Sequence, residues 1–334
     1  MKIIEQKKIF LIISAGVIAV SLAIVFGLGL KLGIDFTGGA LTEVSYNERP
    51  AQTELDARLE PLELGSYSLR ESIDDGGKAA YILRTRDLTE VERQRVHAVV
   101  TEVGVAGEIT RFTSIGPTIG AELRDKAVWA IGAVALVIIL YVAWAFRGVG
   151  RPVGSWTYGG ITILALLHDV LVPTAVMALL GFFMGAEVDV LFVMAILAVL
   201  GYSVNDTIVV FDRVRENLMK YRQEKKVMVK NEYGQPEEQI EYIPTKPFAK
   251  VVGESVDQTI LRSINTSVTT FLALSALYWL GGEVTETFAL VLMAGVVAGT
   301  YSSIFLANPL LVYFAERNIA KSEAAEAASV ETVS

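Results

Sequence analysis

The sequence predicts an α-helical polytopic membrane protein with six transmembrane helices and one extracytoplasmic α+β domain. Three observations lead there. The 334 residues are 52% hydrophobic and only 20% charged, with mean hydropathy +0.47, more apolar than a soluble core of this size absorbs. The apolar residues gather into six tracts near 9–30, 127–146, 157–181, 188–211, 257–280 and 285–312. Each is close to the roughly 20 residues that cross a hydrocarbon core. Lys and Arg collect beside alternate ends of these tracts, as the positive-inside rule requires.

The first tract begins like a signal peptide, with Lys7 and Lys8 ahead of an apolar core. It then runs into GLGLKLGIDF with no small-x-small cleavage site, so residues 1–30 are expected to stay as a cytoplasmic N-terminus and an uncleaved anchor helix. Residues 31–126 are the long outward segment. LTEVSY (41–46) alternates like a strand, and AQTELDARLE (51–60) is patterned like a helix. SYSLRES (66–72) and AAYILRTR (79–86) flank the turn-rich IDDGG and read as a hairpin. Thr89 with Glu92 forms a capping box ahead of a Val stripe over 91–103, and EITRFTS (108–114) supplies a last strand. The order β-α-β-β-α-β predicts a ferredoxin-like domain, a four-stranded antiparallel sheet with helices near 51–62 and 89–103 on one face. Its open face or edge is the kind of surface that binds a partner or an extended chain. His97, beside the Val stripe, has no companion that would make it a site.

Residues 127–211 carry helices two to four. The link 212–256 contains VMVK, NEYGQPEE and QIEYI, which read as a small hairpin or a disordered insert. Residues 257–312 hold helices five and six. The Ala-rich tail 313–334, ending SEAAEAASVETVS, is expected to be disordered. Lys2, Lys7 and Lys8, then Arg147 and Arg151, the basic run from Arg213 to Lys226, and Arg317 with Lys321 all fall on one side. The turns around 187–189 and 281–286 lack Lys and Arg. Both termini are therefore expected in the cytoplasm.

Several classes are excluded. Cysteine is absent, which removes disulfides and thiolate chemistry. The net charge of -8 without an Arg–aromatic cluster argues against nucleic acid. There is no GxxxxGK[ST] loop, metal-ligand cluster or Ser–His–Asp set, so neither an enzyme nor a cofactor or metal is expected.

The chemistry lies in polar groups at membrane depth. His168 and Asp169 sit in mid-helix three, Asn205 and Asp206 in the inner half of helix four, and Arg262 begins the apolar part of helix five. An ionised Asp or Arg at helix centre costs roughly 2.5–3.5 kcal/mol even on the lenient scale. Asp206 lies about 9 Å below Asp212 at 1.5 Å per residue, too deep for so short a side chain to snorkel. Two readings stand for it: a proton relay, or a neutral acid gluing helices through Ser or Thr. Arg262 either anchors a helix end or heads a polar stripe with Thr266 and Thr270. Pro173 is expected to bend helix three beside Asp169.

GIDFTGG (33–39), LLHD (166–169), GYSVNDTIVVFDRVREN (201–217) and LRSINTSVTT (261–270) together resemble the SecF family, the smaller of the paired accessory subunits of bacterial Sec protein export. The resemblance covers nearly the whole chain and implies a half-unit of the RND exporter superfamily. It marks Gly33, Asp35, Gly38, Gly39, Gly201 and Asn265 as motif positions. It further implies that Asp206 conducts protons with Arg262 as companion and Thr266 on the same face, with Asn205, Asp169 and His168 as secondary relay candidates. The partners it implies are SecD, the SecYEG translocon, a translocating unfolded polypeptide and other Sec accessory membrane proteins, in the bacterial inner membrane. The family usually has a short link after helix four, from which the 223–252 insert departs. The competing readings are a passive scaffold without ion coupling and half of a solute exporter. Sodium in place of the proton remains compatible with the same oxygen-bearing residues.

Overall fold

The computed structural model of the chain describes residues 2–74, 76–147, 152–230 and 236–331. A single turn, α1 (Lys2–Glu5), gives way at Gln6 to α2 (Lys7–Leu28). After one more turn, α3 (Ile34–Thr37), the outer domain begins. It contains β1 (Gly39–Tyr46), α4 (Gln52–Leu59) with a 3-10 turn (Glu60–Leu62), β2 (Ser68–Ile73), β3 (Ala79–Thr85), α5 (Glu90–Thr101), a two-residue β4 (Glu102–Val103) and β5 (Val105–Ile115). All pairings are antiparallel, in the order β2-β3-β1-β5-β4. This is the expected ferredoxin-like order, with β4 added as a fifth, minimal strand.

Strand alternation sends Val44, Tyr46, Tyr81 and Leu83 to one face, where Leu55 and Leu59 of α4 and Val96 and Val100 of α5 cover them. The Tyr46 hydroxyl donates to the Val100 carbonyl at 2.6 Å, and burial pushes its pKa up to about 12. The predicted capping box is present: the Thr89 amide donates to the Glu92 carboxylate at 2.8 Å, and the Glu92 amide donates to the Thr89 hydroxyl. His97 packs edge-on against Phe112.

The remaining five spans are α6 (Pro117–Ala145), α7 (Ser155–Met184), α8 (Val190–Lys220), α9 (Phe248–Leu280) and a rod of α10 (Glu283–Ser302), a π-helical turn (Ser303–Ala307) and α11 (Asn308–Glu331). With α2 they give, among the described residues, six helices long and apolar enough to cross a membrane. Between α8 and α9, β6 (Arg222–Lys230) pairs with β7 (Pro236–Pro244). The insert is therefore a ribbon rather than a disordered segment; its expected turn at 231–235 lies outside the described residues. The four tryptophans, Trp129, Trp144, Trp156 and Trp279, are all exposed near span ends, where amphipathic rings settle at a membrane–water interface.

Two expectations are corrected. Several helices overrun their apolar tracts, among them α6, which starts inside the segment assigned to the outer domain. Charged flanks end a hydrophobic tract without ending a helix, because Glu, Lys and Arg are good helix formers. The tail is helical through Glu331, as its Ala and Glu content favours.

The GIDFTGG motif joins the two parts. Leu32 bridges Val188 in the α7–α8 turn; the Gly33 amide donates to the Val188 carbonyl at 2.8 Å, and the Val188 amide to the Lys31 carbonyl at 2.7 Å. Asp35 accepts from the Val190 amide at 3.0 Å. Gly38, at φ 76°, lies so close to α6 that a Cβ would meet Pro117 at 2.7 Å. A Cβ on Gly39 would meet the Thr85 carbonyl oxygen at 2.6 Å. These family positions are structural: they seat the outer domain on the membrane bundle.

Candidate functional site

Buried polar side chains from α7, α8, α9 and the α10 rod meet inside the helix bundle. On α8 the inward stripe is Ser203, Asp206, Thr207 and Val210, the 3–4 spacing of one helical face. On α10, Gly295 and Gly299 form a GxxxG pair. A Cβ at 295 would meet Val199 at 2.1 Å, and one at 299 would meet Ser203 at 2.8 Å. The glycines thus let α10 press its Ser302 and Ser303 into the site.

Asp169 is the best-tied acid. It is fully buried; Ser302 donates to its Oδ2 at 2.7 Å and Ser203 donates to the same oxygen. His168 Nδ1 lies 2.9 Å from Oδ1. The imidazole thus folds back onto its neighbour's carboxylate. Its ring stacks on Tyr301 at 5.7 Å, whose hydroxyl lies 3.2 Å from Ser14 Oγ of α2. Thr207 and Ser303 hydroxyls meet at 2.8 Å, and the Asn308 amide satisfies the Ser303 carbonyl at 2.6 Å. The π turn, which leaves backbone groups out of α-helical register, is stabilised by such side-chain contacts.

Asp206 is also buried and differs in one respect. Its carboxylate faces Ser263 and lies within electrostatic reach of Arg262, yet its Oδ2 and the Ser263 hydroxyl both lack a well-formed hydrogen bond. An unsatisfied buried polar group costs about 1–3 kcal/mol. One acid is locked by donors; the other, one turn along α8 from Ser203, is under-satisfied.

The sequence placed Thr266 toward Asp206, and the structure does not. Thr266 is exposed and donates to its own helix, to the Arg262 carbonyl at 3.0 Å. The inward stripe of α9 is Ser255, Thr259, Ser263 and Ser267, one position out of phase with the expected one. Arg262, Asn265, Thr266, Asn205 and Gly201 lie on exposed surface. Sequence reasoning also missed Ser203, Ser263, Ser302 and Ser303. Their signal was available: Ser203 is three residues before Asp206, and GTYSS follows a GxxxG spacing in an apolar tract.

The protein-family profile described as protein export membrane protein SecD/SecF, C-terminal, matches residues 95–232 and 234–317, and the SecD/SecF GG motif matches residues 23–48. The protein translocase subunit SecF of Sebaldella termitidis is 35% identical over 318 residues, 95% of this chain and 92% of its own. That of Thermobaculum terrenum is 38% identical over 294 residues, 85% of this chain and 84% of its own. The crystal structure of SecDF, a translocon-associated membrane protein from Thermus thermophilus, superposes with TM-score 0.73 at 28% identity. It covers 94% of this chain, which spans 38% of that longer one. With the polar core, the motif-built seat of the outer domain and these relatives in agreement, the chain belongs to the SecF family of protein translocase subunits.

Proposed function

We propose that this chain couples proton flow to late-stage protein export, without catalysing a chemical reaction, and that Asp206 is the group that gains and loses the proton. The observation that carries the reading is the contrast between the two buried acids. Asp169 has its donors in place and holds helices together. Asp206 has an oxygen without a partner, a hydroxyl and an arginine nearby, and a position one to two turns inside the cytoplasmic charge boundary. A proton crossing 100 mV releases about 2.3 kcal/mol, comparable with a conformational gap of a few kcal/mol.

The exposed Arg262, Asn265 and Asn205 support a partner in the membrane, because each is expensive against lipid. A second membrane half of the SecD type would cover them. By the same family reasoning the assembly works at the SecYEG channel of the bacterial inner membrane, with both termini cytoplasmic and an unfolded polypeptide as cargo. The scaffold reading draws on Asp169, whose hydrogen bonds are those of a helix clasp. Asp206→Asn separates the two. It keeps volume and hydrogen bonding but cannot release a proton. Secretion into inverted vesicles at matched protein levels should lose its stimulation by the proton gradient while the complex stays assembled. Stimulation at the level of the unmodified protein would remove Asp206 from the mechanism.

A further inference from the structure

An event at Asp206 does work outside the membrane only if something carries it to the outer domain. We propose that Arg70 and Arg84, on the open face of the sheet, are positioning residues that grip the outer end of α7 and pass its movement to the domain; the inference rests on the Asp206 reading.

The line of contact can be followed upward. Ser203, one turn from Asp206, is pinned to Asp169 of α7, so a shift of α8 at the acid reaches α7 directly. Four residues beyond Asp169, Pro173 lies inside the helix. Lacking an N–H, it leaves the Asp169 carbonyl without its helical donor. Thr174 adds a bond from its hydroxyl to the Val170 carbonyl at 2.6 Å, an arrangement that bends helices. Pin and hinge therefore adjoin. Beyond them Thr174–Met184 forms a stiff arm of about 16 Å.

The arm ends in a grip. Gly185 closes α7 in the left-handed region at φ 66°, and the Arg70 guanidinium donates to the carbonyls of Met184 and Gly185. Those are orphan acceptors at the negative end of the helix dipole. A Cβ at 185 would lie 3.1 Å from the Arg70 Cζ, so glycine serves both the turn and the approach of the guanidinium. Arg84 pairs with Glu187 in the same turn. Burial, then Arg70, pulls its pKa down to about 10, which leaves it charged at neutral pH. Strand register puts both arginines on one face, since Arg70 is opposite Ile82 and Arg84 opposite Ser68. Elsewhere that face stands off the membrane bundle across a cavity of about 560 Å³, lined by Leu41, Glu43, Arg111, Leu191 and Phe288 among others. That face is thus held at points rather than over a packed surface, and a swing of about 10° would move the end of the arm by about 3 Å. An element with two arrangements, biased from both ends, is the physical requirement for such coupling.

The test uses the full cysteine-free chain in lipid bilayers. Spin labels go on cysteines at Ser68 in β2 and Trp279 at the outer end of α9, both exposed. With the arginines intact, Asp206→Asn should shift the label separation. In the Arg70→Gln/Arg84→Gln variant the distribution should broaden and no longer respond to Asp206→Asn. Arg84→Glu should broaden it too, and Glu187→Arg added to Arg84→Glu should restore both width and response. An unchanged width in the Gln variant, a shift from Asp206→Asn that survives it, or no shift with the arginines intact would each overturn the proposal. If Asp206→Asn abolishes gradient-driven secretion yet moves no label, the proton reading stands and the arm falls.

Discussion

Ser203 and Ser302 donate to one oxygen of Asp169, so their effects on stability cannot be independent. Hydrogen bonds between membrane helices average about 0.6 kcal/mol and reach about 1.7. Ser302→Ala and Ser203→Ala should each cost within that range. The pair should cost more than the sum, because Oδ2 then loses both donors while remaining buried. Unfolding of the four proteins of this cycle in mixed micelles measures the coupling; strict additivity would mean the two bonds do not share a burden. At this scale the sequence was half legible. A carboxylate in an apolar tract is conspicuous, and Asp206 and Asp169 were both found. Serine is not, because it is common in membrane helices and acquires meaning only from helix phase. Choosing the stripe of Arg262 and Thr266 over that of Ser263 and Ser267 was an error of one residue, about 100° around α9. No charge pattern in that stretch fixes the phase; packing against α8 does.

Between helices, the decisive contact is α10 on α8. Gly299→Ala places a methyl where Ser203 Cβ already stands, 2.8 Å away, and must push α10 off α8. Overpacking of this kind costs typically 1–3 kcal/mol. The same exchange at Gly16 in α2, where nothing lies within 4 Å of the new methyl, should be close to neutral. Thermal unfolding in nanodiscs would compare them, and equal effects would deny that the α8–α10 contact is tight. Elements were the most legible level. Span count, capping box and strand order all follow from local pattern, and each reappears in the structure. Their ends did not, since the apolar tract measures the hydrocarbon and the helix continues into water on its own hydrogen bonds. The ribbon β6–β7 was legible as alternation around a Gly-Pro turn, though its full nine-residue strands exceed the stretch that alternates.

For the molecule as a whole, orientation follows from charge. Cysteine at Ser68 should react with an impermeant thiol reagent from outside the cell, and cysteine at Gln223, on the ribbon, only after permeabilisation. The reverse pattern would invert the topology. How the outer domain sits on the bundle could not be read from the sequence. Arg70 and Gly185 are 115 residues apart, and two strand arginines look like solvent-facing charge until the helix end beneath them is known. GIDFTGG stood out as a motif, but its task, threading between Val188 and Pro117, is a three-dimensional fact.

The π turn at Ser303–Ala307 has a consequence for how this chain tolerates change. One residue more than an α-helical turn needs is accommodated there, so α11 is rotated by about 100° relative to a straight continuation of α10. Upstream of the turn the rod shows α8 its glycines; downstream, Leu311, Val312 and Ala315 join a core with Phe146, Phe211 and Val214, and Glu316 meets Lys7. Loss of any one codon across 303–307 would straighten the rod and turn that entire lower surface away from its neighbours, whichever amino acid were lost. Reading-frame-preserving indels, rather than substitutions, are the genetic lesions this helix is least able to absorb.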